Sequence, residues 1–252
     1  VNKRKKPHFT YRSLKINPDG RRIAYVTHDL GVYKVYVQDL ETGKRKRIYR
    51  AGYRLQDRPD FSFPVLAWHP TGQVLAMLTE RKGEIRIWFF DLENRQKEYQ
   101  IMVNFQKISD ISYSDDGASL AMSAVQKGQS DIFVYNIASG SHEQITRDRF
   151  DDLNPRFFNR SRDIIFSSNR FSDTLRMDEP VKPEDLKFRN DLFLYHYSSK
   201  SNNLLRLTNT PDVHETQPMP YGERDFCFLS DKDGMINRYL GRYDSTIAYI
   251  DT

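Results

Sequence analysis

The 252-residue chain has one cysteine, Cys227, so no disulfide can form within it and no thiolate set exists for a structural zinc. That cysteine sits in the apolar run Phe226-Cys227-Phe228-Leu229, which predicts a buried small hydrophobe rather than a reactive thiol. No apolar stretch is long enough to span a bilayer, and the chain opens at Val1 on a basic run rather than on a signal peptide. The missing initiator Met is what a mature or excised piece would show, so the missing signal does not argue for a cytoplasmic protein. Catalytic signatures are also lacking. There is no Gly-x-Ser-x-Gly nucleophile elbow and no His-Glu-x-x-His, and Thr42-Gly43-Lys44 lacks the upstream glycine of a phosphate loop. No cofactor or metal site is expected; His214-Glu215 reads as surface polarity.

The formal charge is +5, but 39 basic and 34 acidic residues are interleaved, which describes a mixed solvated surface rather than a nucleic-acid stripe. Two runs break the mixture. Lys3-Arg4-Lys5-Lys6 belongs to an N-terminal extension over residues 1–12, and Lys44-Arg45-Lys46-Arg47 falls on an expected outer strand, where charge shields an exposed sheet edge. Phosphate or anionic-lipid binding is the rival reading of both.

What the chain does contain is a repeated phrase: Asn17-Pro18-Asp19-Gly20, His69-Pro70-Thr71-Gly72 and Ser114-Asp115-Asp116-Gly117, each between two apolar stretches. Gly20 and Gly72 are 52 residues apart and Gly72 and Gly117 are 45 apart, the period of a four-stranded propeller blade. The third unit shows the plan. Ile111-Ser112-Tyr113, Ser119 to Ser123, Asp131 to Ile137 and His142 to Thr146 are four strands joined by turns at Asp115-Asp116-Gly117 and Ala138-Ser139-Gly140. Second and third strands such as Ile85-Arg86-Ile87-Trp88-Phe89-Phe90 do not alternate strictly and predict burial on both faces, as in a blade sandwiched by neighbours. Trp68 and Trp88 read as core. The expected fold is all-β: a β-propeller of about five four-stranded blades over residues 13–51, 63–105, 110–147, 154–208 and 217–252. The last of these is degenerate and consistent with a larger propeller.

The phrases Tyr113-Ser114-Asp115-Asp116-Gly117, Asp131-Ile132-Phe133-Val134, Gln144-Ile145-Thr146, Ser167-Ser168-Asn169-Arg170, Leu207-Thr208 and Ser230-Asp231-Lys232-Asp233-Gly234 resemble the TolB-like propeller repeat, also called the PD40 or WD40-like repeat. The resemblance runs from about Ser13 onward and implies a non-catalytic scaffold, periplasmic in a bacterial cell envelope, that binds a protein or peptide. Similar repeats form the substrate-gating propeller of prolyl-oligopeptidase-type serine hydrolases, which is the alternative. The turn motifs are structural and carry over no site.

In a blade meander, the connections after the second and fourth strands share one face of the disc. Residues there are the expected partner-binding set at the channel mouth: Tyr53, Asp57, Arg58, Asp60, Asp110, Asp151, Asp152, Asn154, His214 and Glu215. Tyr53, Phe61, Phe63 and Phe150 are expected apolar anchors, and the insertion from Phe171 to Arg189 rises from the same face. A five-bladed glycosidase would place Asp110, Asp152 and Glu215 as its acids.

Overall fold

The computed structural model describes residues 10–29, 31–52, 60–175, 182 and 188–244. Tyr53, Asp57, Arg58, the basic run at Lys3 to Lys6 and most of the 171–189 insertion lie outside the described residues. The chain divides into two compact units, Val1–Ser109 and Asp110–Thr252.

The fold is an all-β propeller built from five meander sheets. Blade one comprises β1 (Thr10–Ile16), β2 (Arg22–Asp29), β3 (Val32–Asp39) and β4 (Arg45–Gly52). Blade two has β5 (Val65–Trp68), β6 (Val74–Arg81), β7 (Glu84–Asp91) and β8 (Lys97–Ile101). Blade three has β9 (Lys107–Tyr113), β10 (Ser119–Gln126), β11 (Gln129–Asn136) and β12 (His142–Gln144), and blade four β13 (Asp152–Phe158), β14 (Asp163–Ser168), β15 (Asp191–Tyr195) and β16 (Leu204–Arg206). Blade five shows β17 (Glu215–Tyr221), β18 (Asp225–Ser230) and β19 (Asn237–Arg242), three strands among the described residues. Within each blade, every strand hydrogen-bonds to the next in chain order. β1 takes in Thr10, Tyr11 and Arg12, which the sequence pattern assigns to the extension.

The repeated phrase makes the first turn of blades one to three. The amide of Gly20 donates to the Asn17 carbonyl at 2.9 Å and that of Gly117 to the Ser114 carbonyl at 2.9 Å, with φ of 75° and 73°, a conformation open to glycine at no steric cost. Blade four lacks the glycine. There Asn159, Arg160 and Ser161 all take positive φ, and the turn is held from outside by the Ser161 hydroxyl accepting the Asp115 amide at 2.8 Å.

Blades pack face to face within each unit. In the first, Ala24, Val26, Val35 and Val37 of blade one meet Leu66, Leu75, Met77 and Phe90 of blade two. In the second, Ile132 and Val134 meet Phe157, Ile164 and Phe166, while Ile165, Leu192 and Leu194 meet Phe226. Lying between two neighbours, β14 is buried along its whole length. The expectation of two-sided burial needs correcting for β3 and β7, which alternate: on β7 the faces of Arg86 and Trp88 are only half-buried, against Tyr99 of β8. Cys227 is also corrected. It is half-buried, because it pairs between Met219 and Leu240 on a face of blade five where both neighbours are exposed.

Candidate functional site

The first strand of blades four and five begins with an acid, followed two residues later by an amide in the left-handed region and then a proline: Asp152-Leu153-Asn154-Pro155 and Glu215-Thr216-Gln217-Pro218. Asn154 and Gln217 have φ of 54° and 52°, and the register slips at both places, a bulge that turns the leading acid into the interior. The sequence pattern puts these acids at an open mouth. The structure buries them.

Asp152 is fully buried beside Asp131, the third residue of β11, and Asp148, which follows β12; one oxygen from each lies within 4.8 Å of the others. Into this group comes Arg170, two residues past β14 and also fully buried. Its Nη2 donates to both Asp152 oxygens at 2.9 and 2.8 Å and to Asp148 Oδ2 at 3.1 Å, and its Nε donates to Ser168 Oγ at 3.1 Å. The guanidinium carbon lies 5.1, 5.6 and 5.7 Å from the ring centres of Phe150, Phe166 and Phe193, a cation held over aromatic faces. Three carboxylates in such a cluster are a donor set for a hard cation, but the guanidinium already supplies positive charge to two of them.

Asp131 receives no contact from Arg170. It accepts from Gln144 Nε2 at 2.9 Å and from the Thr146 hydroxyl at 3.4 Å, while that hydroxyl accepts the Ile132 amide at 2.9 Å. Burial, then the charges of Asp152 and Asp148, push the Asp131 carboxyl up to about 7. Asp148 is pushed up to about 6 by burial and by Asp152, with Arg170 pulling it back. The group is a polar latch between blades three and four with more carboxylate than counter-charge.

The same frame recurs one blade later. Leu192 donates its amide to Thr208 Oγ1 at 2.9 Å, as Ile132 does to Thr146. By position in the blade, Asp191 corresponds to Asp131, Thr210 to Asp148, Glu215 to Asp152 and Lys232 to Arg170, although Lys232 is exposed where Arg170 is fully buried. Arg206 replaces Gln144 and reaches Asp191 at 3.7 Å. Glu215 is raised by burial, with its Oε1 accepting from Thr210 at 3.4 Å.

The other expected residues separate into clusters. Asp110 is buried and accepts from Arg156 Nη2 at 2.7 Å and Asn154 Nδ2 at 3.2 Å, so the structure joins Asp110 to Asn154. His214 takes the Asn190 amide on Nδ1 at 3.2 Å and gives its own amide to Asp231 at 2.7 Å. Asp151 is exposed. Asp60, in the first unit, is half-buried with Lys107 at 3.4 Å. Of the expected anchors, Phe61 is exposed, whereas Phe63 and Phe150 are 2% and 0% exposed and belong to the core. Phe150 is drawn inward because it floors Arg170.

Sequence reasoning missed Asp131, Asp148 and Arg170. A signal was present in the paired phrases Ser168-Asn169-Arg170 and Ser230-Asp231-Lys232, where the same spacing after a second strand ends in a cation each time.

Residues 2–179 match the family model described as lactonase, 7-bladed beta-propeller. The chain belongs to that propeller family. Among curated relatives, the uncharacterized peptidase YuxL of Bacillus subtilis is 24% identical over 172 residues, 68% of this chain and 23% of that protein. The Tol-Pal system protein TolB of Gluconobacter oxydans is 30% identical over 132 residues, 50% of this chain and 26% of TolB. This chain thus spans about a quarter of the length of either relative. Among solved structures, a TolB described as putative from Agrobacterium tumefaciens superposes with a TM-score of 0.64 at 16% identity, covering 88% of this chain and 70% of that one. The TolB-like fold read from the repeats therefore stands. Among the described residues no helix is long and apolar enough to cross a membrane.

Proposed function

We propose that this propeller is a non-catalytic scaffold that binds a protein or peptide partner in a bacterial cell envelope, on the periplasmic side, through the face that carries Asp60, Asp110, Asp151, Asp152, Asn154, His214 and Glu215, with Tyr53, Asp57 and Arg58 completing it. The observation that carries this reading is the commitment of the acids. Asp110 is consumed by Arg156 and Asp152 by Arg170, so two of the three carboxylates that a glycosidase would use serve as internal struts. Struts of this kind hold loops in fixed positions, and a rigid face loses little entropy when a partner docks. Exposed Phe61 and Asp151 supply an apolar anchor and a steering charge.

The test is capture from a cell-envelope extract on the immobilised chain, with Asp57, Arg58 and Asp151 reversed in the control and Asp152 left intact so that the latch survives. A protein retained by the parent and lost by the control supports the reading; equal capture by both overturns it.

A second reading is favoured by the likeness to YuxL over 68% of this chain. The propeller would then filter substrate for a hydrolase domain. A coding sequence that continues into a Gly-x-Ser-x-Gly elbow, then Asp and His, would establish it.

A further inference from the structure

Blade one ends in an outer strand unlike those of the blades that follow. β4 is 8 residues long, against 5 for β8 and 3 each for β12 and β16. No strand pairs with its outward edge among the described residues, so a long row of backbone donors and acceptors is presented. Its charge is of one sign. Lys44, Arg45, Lys46, Arg47 and Arg50 are all exposed, and Lys34 lies opposite Arg50 on β3. Arg45 stacks over Tyr36 at 5.2 Å; none of the six forms an ion pair among the described residues. In blades three and four the outer strands pair their charges: Arg206 on β16 with Asp173 at 3.0 Å, and Glu143 on β12 with Lys200 at 2.6 Å.

Shielding an edge takes one or two charges. A strip of unpaired cations goes further, because the like charges repel one another in the free protein. The pairing of β4 with β3 also sorts the strip by face. Arg45, Arg47 and Arg50 stand opposite Gln38, Tyr36 and Lys34 on one face of the sheet, while Lys46 stands opposite Val37 on the other. A cleft of about 250 Å³ on that second side has an apolar floor of Val37, Ile48 and Leu92, and its rim of Arg22, Asp39, Lys44, Arg45 and Lys46 carries four cations to one acid. An extended chain laid along β4 would send alternate side chains to the guanidinium row and to the apolar floor.

We propose that the outer edge of blade one is a docking site for an acidic, extended polypeptide segment in which Asp or Glu alternates with apolar residues, added to the sheet as a fifth strand. Main-chain hydrogen bonds to β4 hold the segment, the guanidinium forks of Arg45, Arg47 and Arg50 take its carboxylates, and the Val37, Ile48 and Leu92 floor takes its apolar side chains. The site belongs to the first unit and shares no residue with the face proposed above, so either can fail without the other.

The probe is a capped, dye-labelled ten-residue peptide alternating Glu and Val, titrated into the 252-residue chain by fluorescence anisotropy. Its controls are the same peptide with Lys for Glu, the same peptide with alternate backbone amides N-methylated, and vesicles of anionic phospholipid. The expected result is saturable binding of the Glu peptide alone, with Kd rising at least tenfold between 50 and 200 mM salt and at least tenfold in the double variant Arg45→Glu, Arg47→Glu. Both positions are exposed, and an unchanged melting temperature verifies the fold. Absence of binding overturns the proposal. Equal binding of the N-methylated peptide, or preferential binding to vesicles, overturns it as well, because either result means that the strip reads charge without using the strand edge.

Discussion

Replacing Asp131 with Asn should stabilise the protein strongly at pH 8 and clearly less at pH 5. The Asp131 carboxyl is raised from 3.8 to about 7 in the folded chain by burial and by its neighbours Asp152 and Asp148. Between those two values the folded state holds a proton that the unfolded state has released. Stability therefore falls as pH rises from about 4 to 7, and the whole penalty is present above 7. Asp148, raised to about 6, adds to the loss with the same sign over the lower part of that range. A tenfold weakening of a carboxyl's acidity on folding costs about 1.4 kcal/mol once the group is ionised, which puts the Asp131 penalty at about 4 kcal/mol when fully expressed.

Asn is nearly isosteric with Asp. Its carbonyl still accepts from Gln144, and its amide can donate where a carboxylate repels Asp148. The expected gain is about 2–4 kcal/mol at pH 8 and about 1–2 kcal/mol at pH 5, where the folded parent still holds the proton that its unfolded chain has already released. Urea unfolding of parent and variant at both pH values measures the difference. A variant that is less stable at pH 8, or that shows the same difference at both pH values, would refute the claim that Asp131 is a buried acid short of counter-charge.

Arg170→Met strips two buried carboxylates of their cation and should cost about 3–5 kcal/mol at pH 8, shrinking at pH 5 as Asp148 takes up a proton; urea titrations at the two pH values test this. Thr146→Val and Thr208→Val each leave a strand amide, Ile132 or Leu192, without its acceptor, and each should cost about 1–3 kcal/mol in urea unfolding, with Ser restoring most of the loss. Gly241 lies opposite Phe226, and a Cβ there would run into the buried Phe226 ring. Gly241→Ala should therefore cost about 1–3 kcal/mol, visible as a lowered melting temperature.

The fold was legible because its signals are local. A turn phrase of four residues sets the first corner of a blade, and two-sided apolar runs such as Ile164-Ile165-Phe166 announce a strand between two neighbours. The latch was not legible in the same way, since Asp131, Asp148, Asp152 and Arg170 come from four different elements, and each alone looks like a solvated loop charge. Phe150 was misread for a related reason. Its place in the segment Arg147 to Asn154 suggested exposure, but a buried guanidinium needs an apolar floor, and Phe150 is part of it. Only the repetition of Ser-x-Arg and Ser-x-Lys after second strands, set beside Gln144-Ile145-Thr146 and Leu207-Thr208, links these positions through the sequence.

The two latches of the second unit share a frame but differ in charge, and that difference isolates the cause of the expected pH dependence. Between blades four and five, Asp191 has Arg206 at 3.7 Å, and Glu215, itself raised by burial, is drawn down by the exposed Lys232, two cations for two acids. Between blades three and four, Asp131, Asp148 and Asp152 face Arg170 alone. Gln144 and Arg206 occupy the same place, opposite Phe133 and Phe193 respectively, and Gln144 already donates to Asp131. Gln144→Arg would thus supply the first latch with the counter-charge the second one has, and the position is only half-buried, so a guanidinium there keeps part of its hydration. The Asp131 carboxyl should fall back toward its ordinary range, and the variant should gain about 1–2 kcal/mol at pH 8 and less at pH 5. If the pH slope of stability survives this substitution, the slope does not arise from the uncompensated carboxylates, and the burial of Asp131 alone must account for it.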